Sequence, residues 1–181
     1  MRNAELTEVV PFWREAGPPR WFEKDEAFDL TIRSKFLTLH EAASRGELLA
    51  AEESAEGALA LVIVLDQFPR NMFRGSAHAF ATDPLARAVA GRALDRGFDV
   101  ATEQLLRPFF YLPFMHSESL ADQDRCLRLY EALGDAELLK YAVMHREIIL
   151  RFGNFPHRNH MMGRATTPIE QEFLDGGGFA G

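Results

Sequence analysis

Arginine, histidine and asparagine side chains are concentrated in two short motifs that share the order Phe-Pro and then Arg-Asn. The first motif is FPRN at residues 68–71, and the second is FGNFPHRN at residues 152–159, with one histidine inserted. A guanidinium group can hold a carboxylate or a phosphate through two parallel hydrogen bonds, and asparagine adds a neutral donor and acceptor. The motifs therefore predict a site for a small anionic ligand. The residues expected to hold it are Asp66, Arg70, Asn71, Arg74, His145, Arg151, Arg158 and Asn159.

The charge distribution is uneven in a way that supports this prediction. Lys and Arg together number 20 against 27 Asp and Glu, which gives a net charge of −7, yet residues 151–164 contain no acidic residue. This stretch is a local positive field in an acidic chain. A second interpretation is equally open. The arginines could instead pair with buried acids such as Asp66 and Glu118 and cap helix ends, because a buried charge requires a partner.

Three residues are candidates for proton transfer. His116, His157 and Glu118 lie in predicted loops, and modest shifts move the pKa of a histidine across neutral pH. His145 falls on the apolar face of a predicted helix, where a hydrogen-bonded core histidine is the usual outcome. None of the His, Cys and acidic spacings matches a metal-binding pattern, and no nucleophile or phosphate-loop motif is present. We therefore expect no metal, no cofactor and no covalent catalysis, and Cys126 is expected within a helix.

Length and composition indicate one ordinary globular domain over residues 1–181, with a loose tail from about residue 176. The negative net charge argues against nucleic acid or an anionic membrane as a general partner. No apolar run approaches the roughly 20 residues of a membrane-spanning helix. The single cysteine cannot form an internal disulfide, and no secretory signal opens the chain, so we expect a cytoplasmic protein. The oligomeric state is not predicted.

The element that must position the first motif is the apolar run Leu59–Leu65. A segment that is apolar on every side must be buried all round, so it carries the polar residues that follow into the interior. Its β-branched residues also fit a buried strand, but no partner strand is apparent elsewhere in the chain, and this favours a helix. The residue before a proline disfavours helical geometry, so the helix is expected to end near Gln67 or Phe68, with a loop to about Thr82.

Hydrophobic spacing and capping residues predict helices along the rest of the chain. Asp83, Ser119 and Thr167 are the expected N-caps, the last within a capping box. The predicted helices cover residues 4–16, 25–46, 59–68, 83–97, 119–134, 136–152 and a short segment after residue 167. The sequence therefore predicts an all-α fold, a bundle or right-handed array of about seven helices.

Three stretches resemble the bacterial family known as domain of unknown function 924. They are LVIVLDQFPRNMFRG, YLPFMHSE and RFGNFPHRN, and the resemblance runs from about Val9 to Leu174. It implies an all-helical, tetratricopeptide-like superhelical fold and no established activity or catalytic residues. Residues 50–54 depart from the family pattern, in which a tryptophan is expected there.

Two functions compete on these observations, beside a purely structural role for the motifs. In the first, the two Phe-Pro motifs converge on one pocket that binds a small anion, with or without catalysis. In the second, a tetratricopeptide-like scaffold binds a peptide or another protein in a groove, which fold analogy alone supports. A converging, enclosed polar cluster favours the first function, and an open concave face favours the second.

Overall fold

The structure, a computed structural model, describes residues 2–179. Within that range the regular secondary structure is helical and no β-strand is present, which confirms the all-α prediction. The α-helices are α1 (Arg2–Thr7), α2 (Val9–Ala16), α3 (Pro18–Trp21), α4 (Glu26–Ser44), α5 (Ala55–Val62), α6 (Phe68–Met72), α7 (Asp83–Asp95), α8 (Phe98–Ala101), α9 (Leu112–Met115), α10 (Leu120–Leu133), α11 (Ala136–Phe152) and α12 (Pro168–Asp175). Short 3-10 helices cover Leu49–Glu53, Ala77–Phe80, Arg107–Phe110 and Pro156–Arg158, and a π-helical segment covers Ile63–Gln67.

The described residues form two compact units. The first comprises those of Met1–Arg74 and His78–Pro113, and the second comprises those of Gly75–Ala77 and Phe114–Gly181. Each unit is built around its own long helices. The organisation of the chain as one domain stays a prediction.

The apolar run at residues 59–65 is the centre of the first unit. Every residue from Leu59 to Leu65 is buried, as its composition predicted. Aromatic side chains fill the adjoining space: Phe68 lies 4.8 Å from Phe36 and 5.7 Å from Trp13, ring centre to ring centre. Burying large aromatic and aliphatic side chains supplies most of the driving force for folding. This run therefore fixes the position of the polar residues that follow it.

The helix does not end before Pro69, which corrects the prediction of a loop from that point. The chain passes from α5 into the π-helical segment Ile63–Gln67 and then continues as α6 to Met72. The wider π turn reaches from the Phe68 N–H to the Ile63 carbonyl, and Pro69 then occupies the first turn of α6, where its missing N–H costs least. The Arg-Asn pair of the first motif therefore lies on a helix.

Side chains take the place of the backbone donors that are missing around Pro69. Its ring nitrogen carries no hydrogen, so it cannot donate to the carbonyl five residues earlier, at Val64, or four residues earlier, at Leu65. His40 Nδ1 lies 3.1 Å from the Val64 carbonyl oxygen, and Thr82 Oγ1 donates to the Leu65 carbonyl at 2.6 Å. Arg70 Nη1 donates to the next carbonyl, that of Asp66. Three successive carbonyls are thus bound by side chains.

In the second unit α10 and α11 pack against each other and are joined by Gly134 and Asp135. Gly134 adopts a left-handed conformation with φ of 77°, which ends α10, and the Asp135 carboxylate accepts hydrogen bonds from the first amides of α11. The predicted capping box at Thr167 and Glu170 is confirmed. The tail was expected to be loose. Phe179 lies against the apolar cluster of Ile148, Ile149 and Phe155, and how firmly the tail is held stays a prediction.

Two predicted caps were wrong in detail. Thr82 rather than Asp83 precedes α7, because the Asp83 carboxylate is engaged by Arg70 instead. Ser119 precedes α10 as predicted, but its side chain makes no capping hydrogen bond, and its amide donates to Ser117 Oγ. Among the described helices none has both the length and the apolar character that crossing a membrane requires.

Candidate functional site

Arg70 of the first motif is held by acidic side chains. Its guanidinium makes a two-point contact with Asp83, at 2.9 Å and 3.0 Å, and lies 3.5 Å from the Asp66 carboxylate. Asp66 is fully buried and Asp83 is 5% exposed. Buried carboxylates require a compensating charge, and Arg70 supplies it. The interpretation in which the arginines pair with buried acids therefore describes Arg70.

Arg74 and Asn71 converge on a single carboxylate of α4. Arg74 makes a two-point contact with Asp29, through Nε to Oδ2 at 2.8 Å and Nη2 to Oδ1 at 2.9 Å. Asn71 Nδ2 donates to Asp29 Oδ1 at 2.7 Å. The polar residues of the first motif thus fasten α6 to α4. The sequence did not predict Asp29 as a partner. It lies more than 40 residues from Asn71 and Arg74, on a helix face whose polar composition is typical of a solvent-exposed surface.

The second motif brings together two imidazoles and two aromatic rings. His145 of α11 lies 5.6 Å from the Phe155 ring and 4.5 Å from the Phe179 ring, centre to centre. His157 lies 5.7 Å from Phe155 and 5.3 Å from Phe179. Phe155 is fully buried. Both imidazoles are therefore packed between the same two phenylalanines, which carry no polar group that could bind them.

Arg158 joins this group as a permanent positive charge. It is 7% exposed, its Nη1 donates to the His116 carbonyl at 3.0 Å, and its guanidinium lies 4.6 Å from the centre of the Phe155 ring. Its charge and that of protonated His116 disfavour protonation of both His145 and His157. We call His116, His145, His157 and Arg158 the histidine cluster.

Burial and positive neighbours hold both histidines neutral. Burial lowers the pKa of His145 to about 4, and the hydrogen bond from its Nδ1 to the Tyr141 carbonyl offsets only part of that effect. Burial, followed by the charge of Arg158, lowers the pKa of His157 to about 4 as well. Near neutral pH each ring therefore has one N–H and one lone pair.

His157 has an unusual environment for a buried polar group. Its Nδ1 is buried and has no hydrogen-bond partner in the part of the chain that the structure describes. Leaving a buried nitrogen without a partner typically costs about 1–3 kcal/mol, so such atoms are rare and often mark a place where something else binds. Over the described residues, no three His, Cys, Asp or Glu side chains are arranged to hold a metal ion.

The Glu118 carboxylate is engaged by an arginine and a backbone amide. Its carboxylate accepts two hydrogen bonds from Arg164, at 2.6 Å and 2.9 Å, and one from the Phe155 amide at 2.9 Å. Burial works against ionisation, but these hydrogen bonds and the nearby charges outweigh it and lower the pKa of Glu118. The carboxylate thus stays ionised and ties residue 118 to the second motif. Pairing of an arginine with Glu118 is what the second interpretation of the sequence expected, and the partner is Arg164 of the positive stretch.

Two other predicted site residues lie apart from the histidine cluster. Asn159 is buried, accepts a hydrogen bond from Asn154 at 2.8 Å and donates to Glu170 at 3.3 Å. The Arg151 guanidinium is exposed and lies 4.6 Å from the centre of the Phe152 ring. Both residues therefore have local structural contacts.

The predicted site residues fall into both units. Asp66, Arg70, Asn71 and Arg74 belong to the first unit, and His116, Glu118, His145, Arg151, His157, Arg158 and Asn159 belong to the second. The convergence of the two Phe-Pro motifs on one pocket stays a prediction. Within the second unit, the structure assembles the histidine cluster that the motif spacing alone could not define.

Comparisons with known proteins bear on the family and the fold. A search of curated proteins gave no match. The solved structure of a protein of unknown function from Agrobacterium tumefaciens is 49% identical in sequence and superposes with a TM-score of 0.94, covering 97% of this chain and 99% of that chain. A family model described as bacterial protein of unknown function, DUF924, matches residues 9–178, and the chain belongs to that family.

Proposed function

We propose that the second unit binds a small anion, a carboxylate or a phosphate, at the histidine cluster. The observation that carries the proposal is the buried Nδ1 of His157, which has no partner among the described residues. An anionic oxygen placed there would accept a hydrogen bond from Nδ1–H and remove the cost of the unsatisfied nitrogen. Arg158, which is buried beside it, supplies a permanent charge for the same ligand.

The proposal is confined to the second unit because the other arginines are already matched. Arg70 is engaged by Asp83, and Arg74 by Asp29. Arg158 is buried, donates to the His116 carbonyl and lies against the Phe155 ring. The second unit thus places a buried guanidinium beside the imidazole of His157, whose buried Nδ1 has no partner among the described residues.

A bound anion would also prepare the cluster for proton transfer. The low pKa of His157 reflects burial and the neighbouring positive charge of Arg158. A negative ligand offsets both effects and raises that pKa toward neutrality, where a histidine exchanges protons most effectively. His157, and His116 beside it, are therefore the residues proposed to transfer protons if a reaction follows binding.

Thermal unfolding in different sodium salts tests the proposal. The wild-type melting temperature should rise with phosphate, sulfate or acetate concentration relative to chloride at equal ionic strength, because a ligand that binds only the folded state stabilises it. Arg158→Lys keeps the charge but removes the two-point geometry, and His157→Gln removes the imidazole. Each variant should show a smaller rise, measured from its own melting temperature in chloride.

Lys140→Gln is the matched control. Lys140 is a cation of the same unit whose side chain is 70% exposed, so its removal should leave the anion effect unchanged. Equal melting temperatures of the wild type in all the salts would refute the proposal. So would an anion effect of the same size in the Arg158→Lys and Lys140→Gln variants.

We also propose a tetratricopeptide-like arrangement of the helices and a cytoplasmic location. Helix pairs joined by very short turns, such as α10 and α11, support the first, and a scaffold that binds a peptide is the function this arrangement would favour. The second is supported by Cys126, a buried free thiol whose pKa burial raises to about 12. Small-angle scattering in solution tests the arrangement of the helices, and cell fractionation tests the location.

A further inference from the structure

The first unit contains a cleft that none of the predicted site residues lines. Its volume is about 360 Å³, within the range of small-molecule sites. One wall is a stripe of α4 made by Arg33, Leu37, His40, Glu41 and Ser44, and the facing wall is made by Phe73, His78, Ala81 and Thr82. The cleft therefore combines aromatic and aliphatic surface with a few polar groups, all from one compact unit.

The protonation state of His40 makes it a hydrogen-bond acceptor in this cleft. Its Nδ1 lies 3.1 Å from the Val64 carbonyl, which can only accept, so Nδ1 carries the hydrogen. Burial lowers the pKa of His40, so the ring is neutral near pH 7 and Nε2 has a lone pair. Nε2 makes no hydrogen bond to any residue described, and it is not one of the fully buried side-chain atoms that lack a partner. It therefore remains accessible in the cleft.

The position of His40 is tied to the backbone geometry beneath it. Val64 belongs to the π-helical segment, and its carbonyl is one of those that Pro69 leaves without a backbone donor. Such π segments recur at functional sites, where they redirect a side chain or a carbonyl. Here the segment fixes both the orientation and the tautomer of the imidazole, so the acceptor is preorganised.

Arg33 is a cation at the other end of the cleft, so it favours an anionic group of a ligand there. Its Nη1 donates to the Met72 carbonyl at 2.9 Å, and its guanidinium lies 5.6 Å from the centre of the Phe73 ring. These contacts use one of its five N–H groups and hold the guanidinium beside an aromatic surface. Arg33 precedes His40 by seven residues on α4, which places them roughly 10 Å apart along the helix axis.

We propose that this cleft binds a small aromatic carboxylate whose carboxylate pairs with Arg33 and whose far end donates a hydrogen bond to His40 Nε2. The aromatic body of the ligand lies against Phe73 and Leu37. The carboxylate of the ligand and its hydrogen-bond donor must lie at opposite ends of the molecule. Their separation must be close to the roughly 10 Å between Arg33 and His40 along α4. The inference concerns the first unit and is independent of the anion site proposed at the histidine cluster.

The test uses para-hydroxyphenylpropanoate as the probe, added to the full-length ¹⁵N-labelled protein and followed by amide chemical shifts. Saturable shifts should appear at Ser44, Phe73 and Thr82. Arg33→Gln should weaken the affinity at least tenfold, because a charge-assisted contact is lost. Lys35→Gln removes a cation of the same helix that pairs with Glu8 outside the cleft, and it should leave the affinity unchanged.

The His40 contact is tested by changing the protein and the probe together. In His40→Asn the amide nitrogen can still donate to the Val64 carbonyl, but the shorter side chain has no acceptor atom at the position of Nε2. Phenylpropanoate, which lacks the hydroxyl, should bind the wild type several-fold more weakly than the hydroxylated probe, and this difference should disappear in His40→Asn. Where that variant fails to fold, the two probes compared on the wild type still test the contact.

Three results would overturn the inference. The first is the absence of saturable shifts at the cleft at millimolar probe. The second is equal affinity of the wild type for the two probes. The third is an unchanged preference for the hydroxylated probe in His40→Asn. Shifts confined to residues near Arg158 would likewise exclude this cleft, and they would leave the anion proposal standing.

Discussion

Arg164 holds Glu118 through both oxygens of its carboxylate, at 2.6 Å and 2.9 Å. The same carboxylate accepts a hydrogen bond from the Phe155 amide, so one acidic side chain binds two points of a segment about 40 residues away in sequence. Two-point contacts between arginine and a carboxylate are stronger and more directional than contacts between single charges. The second motif therefore depends on an ion pair that lies outside its own sequence.

Replacing Glu118 with Gln should destabilise the protein by about 1–3 kcal/mol, because the amide keeps the shape but loses the charge-assisted bonds. Urea-induced unfolding measures the change. Glu137→Gln is the control, since the exposed pair of Glu137 with Lys140 should contribute less than about 1 kcal/mol. An equal free energy of unfolding for Glu118→Gln and Glu137→Gln would show that the Glu118 contact contributes no more to stability than an exposed ion pair.

Arg70→Ala should be more damaging than Arg74→Ala. Removing Arg70 takes away the cation that the structure places against the buried Asp66 and Asp83 carboxylates, and breaking a buried ion pair typically costs about 3–5 kcal/mol. Arg74 is 39% exposed at its side chain, so water can solvate Asp29 in its absence and the cost should be about 1 kcal/mol. Thermal and urea unfolding of both variants make the comparison, and the reverse order would contradict the structural role of Arg70.

The stability of the protein should fall as the pH is lowered from about 6.5 to about 4. His145 has a pKa of about 4 in the folded chain against 6.5 for an unperturbed histidine, so the unfolded chain binds more protons in that range. His145 alone contributes at most about 3–4 kcal/mol. The low pKa of Glu118 acts in a lower range, because its contribution is lost only below the usual 4.5 of a glutamate.

Unfolding measured at several pH values tests this dependence, and His145→Gln should have a shallower slope between pH 6.5 and 4. A slope in this range that is the same in the variant and the wild type would show that His145 is not the source. His157 adds to the slope in the same direction, so a residual dependence is expected in the variant.

Leu65→Asp should prevent cooperative folding. Leu65 is fully buried, and a charge placed there without a partner costs several kcal/mol, comparable with the roughly 5–15 kcal/mol of a whole domain. Leu30→Asp is the control, because Leu30 is 67% exposed and should tolerate the change. Circular dichroism and thermal unfolding report the result, and a stable, cooperatively unfolding Leu65→Asp protein would contradict it.

Gly178→Val should move Phe179 away from the two imidazoles. A Cβ atom at position 178 would lie 2.5 Å from Phe173 Cζ and 2.6 Å from the Phe173 carbonyl oxygen, too close for the tail to keep its path. The pKa of His145 should then rise from about 4 toward 6.5, which histidine ring NMR measures. Ile169→Val, at an exposed position of α12, should leave it unchanged. An unaltered pKa in Gly178→Val would show that Phe179 does not determine the burial of His145.

The helices and the buried run were predictable because both follow from local patterns. Apolar spacing along α4 and α11, and the unbroken apolar stretch at Leu59–Leu65, specify burial from neighbouring residues alone. The prediction that the helix ends before Pro69 was wrong, because the π turn that accommodates this proline depends on donors from His40 and Thr82. Those donors lie far away in the chain, and no local rule predicts them.

The candidate site was only partly predictable for the same reason. The second motif and the apolar face of α11 drew attention to His157, Arg158 and His145, and the structure places both imidazoles against Phe155 and Phe179. The partners that decide what the arginines do, such as Asp29 and Asp83, are specified by packing and carry no local signal. The contact of Phe179 with His145 follows three glycines, whose backbone has too much freedom to predict a path.

The side-chain contacts to the carbonyls of Val64, Leu65 and Asp66 affect how the first unit unfolds locally. Each depends on a side chain from a different place: His40 on α4, Thr82 before α7, and Arg70 on α6. Withdrawal of His40 or Thr82 removes the side-chain donor of a carbonyl that Pro69 cannot serve, so it weakens the segment to which Arg70 also binds. Amide hydrogen exchange in α4, α5 and the start of α7 should therefore be lost together, as a single cooperative unfolding unit.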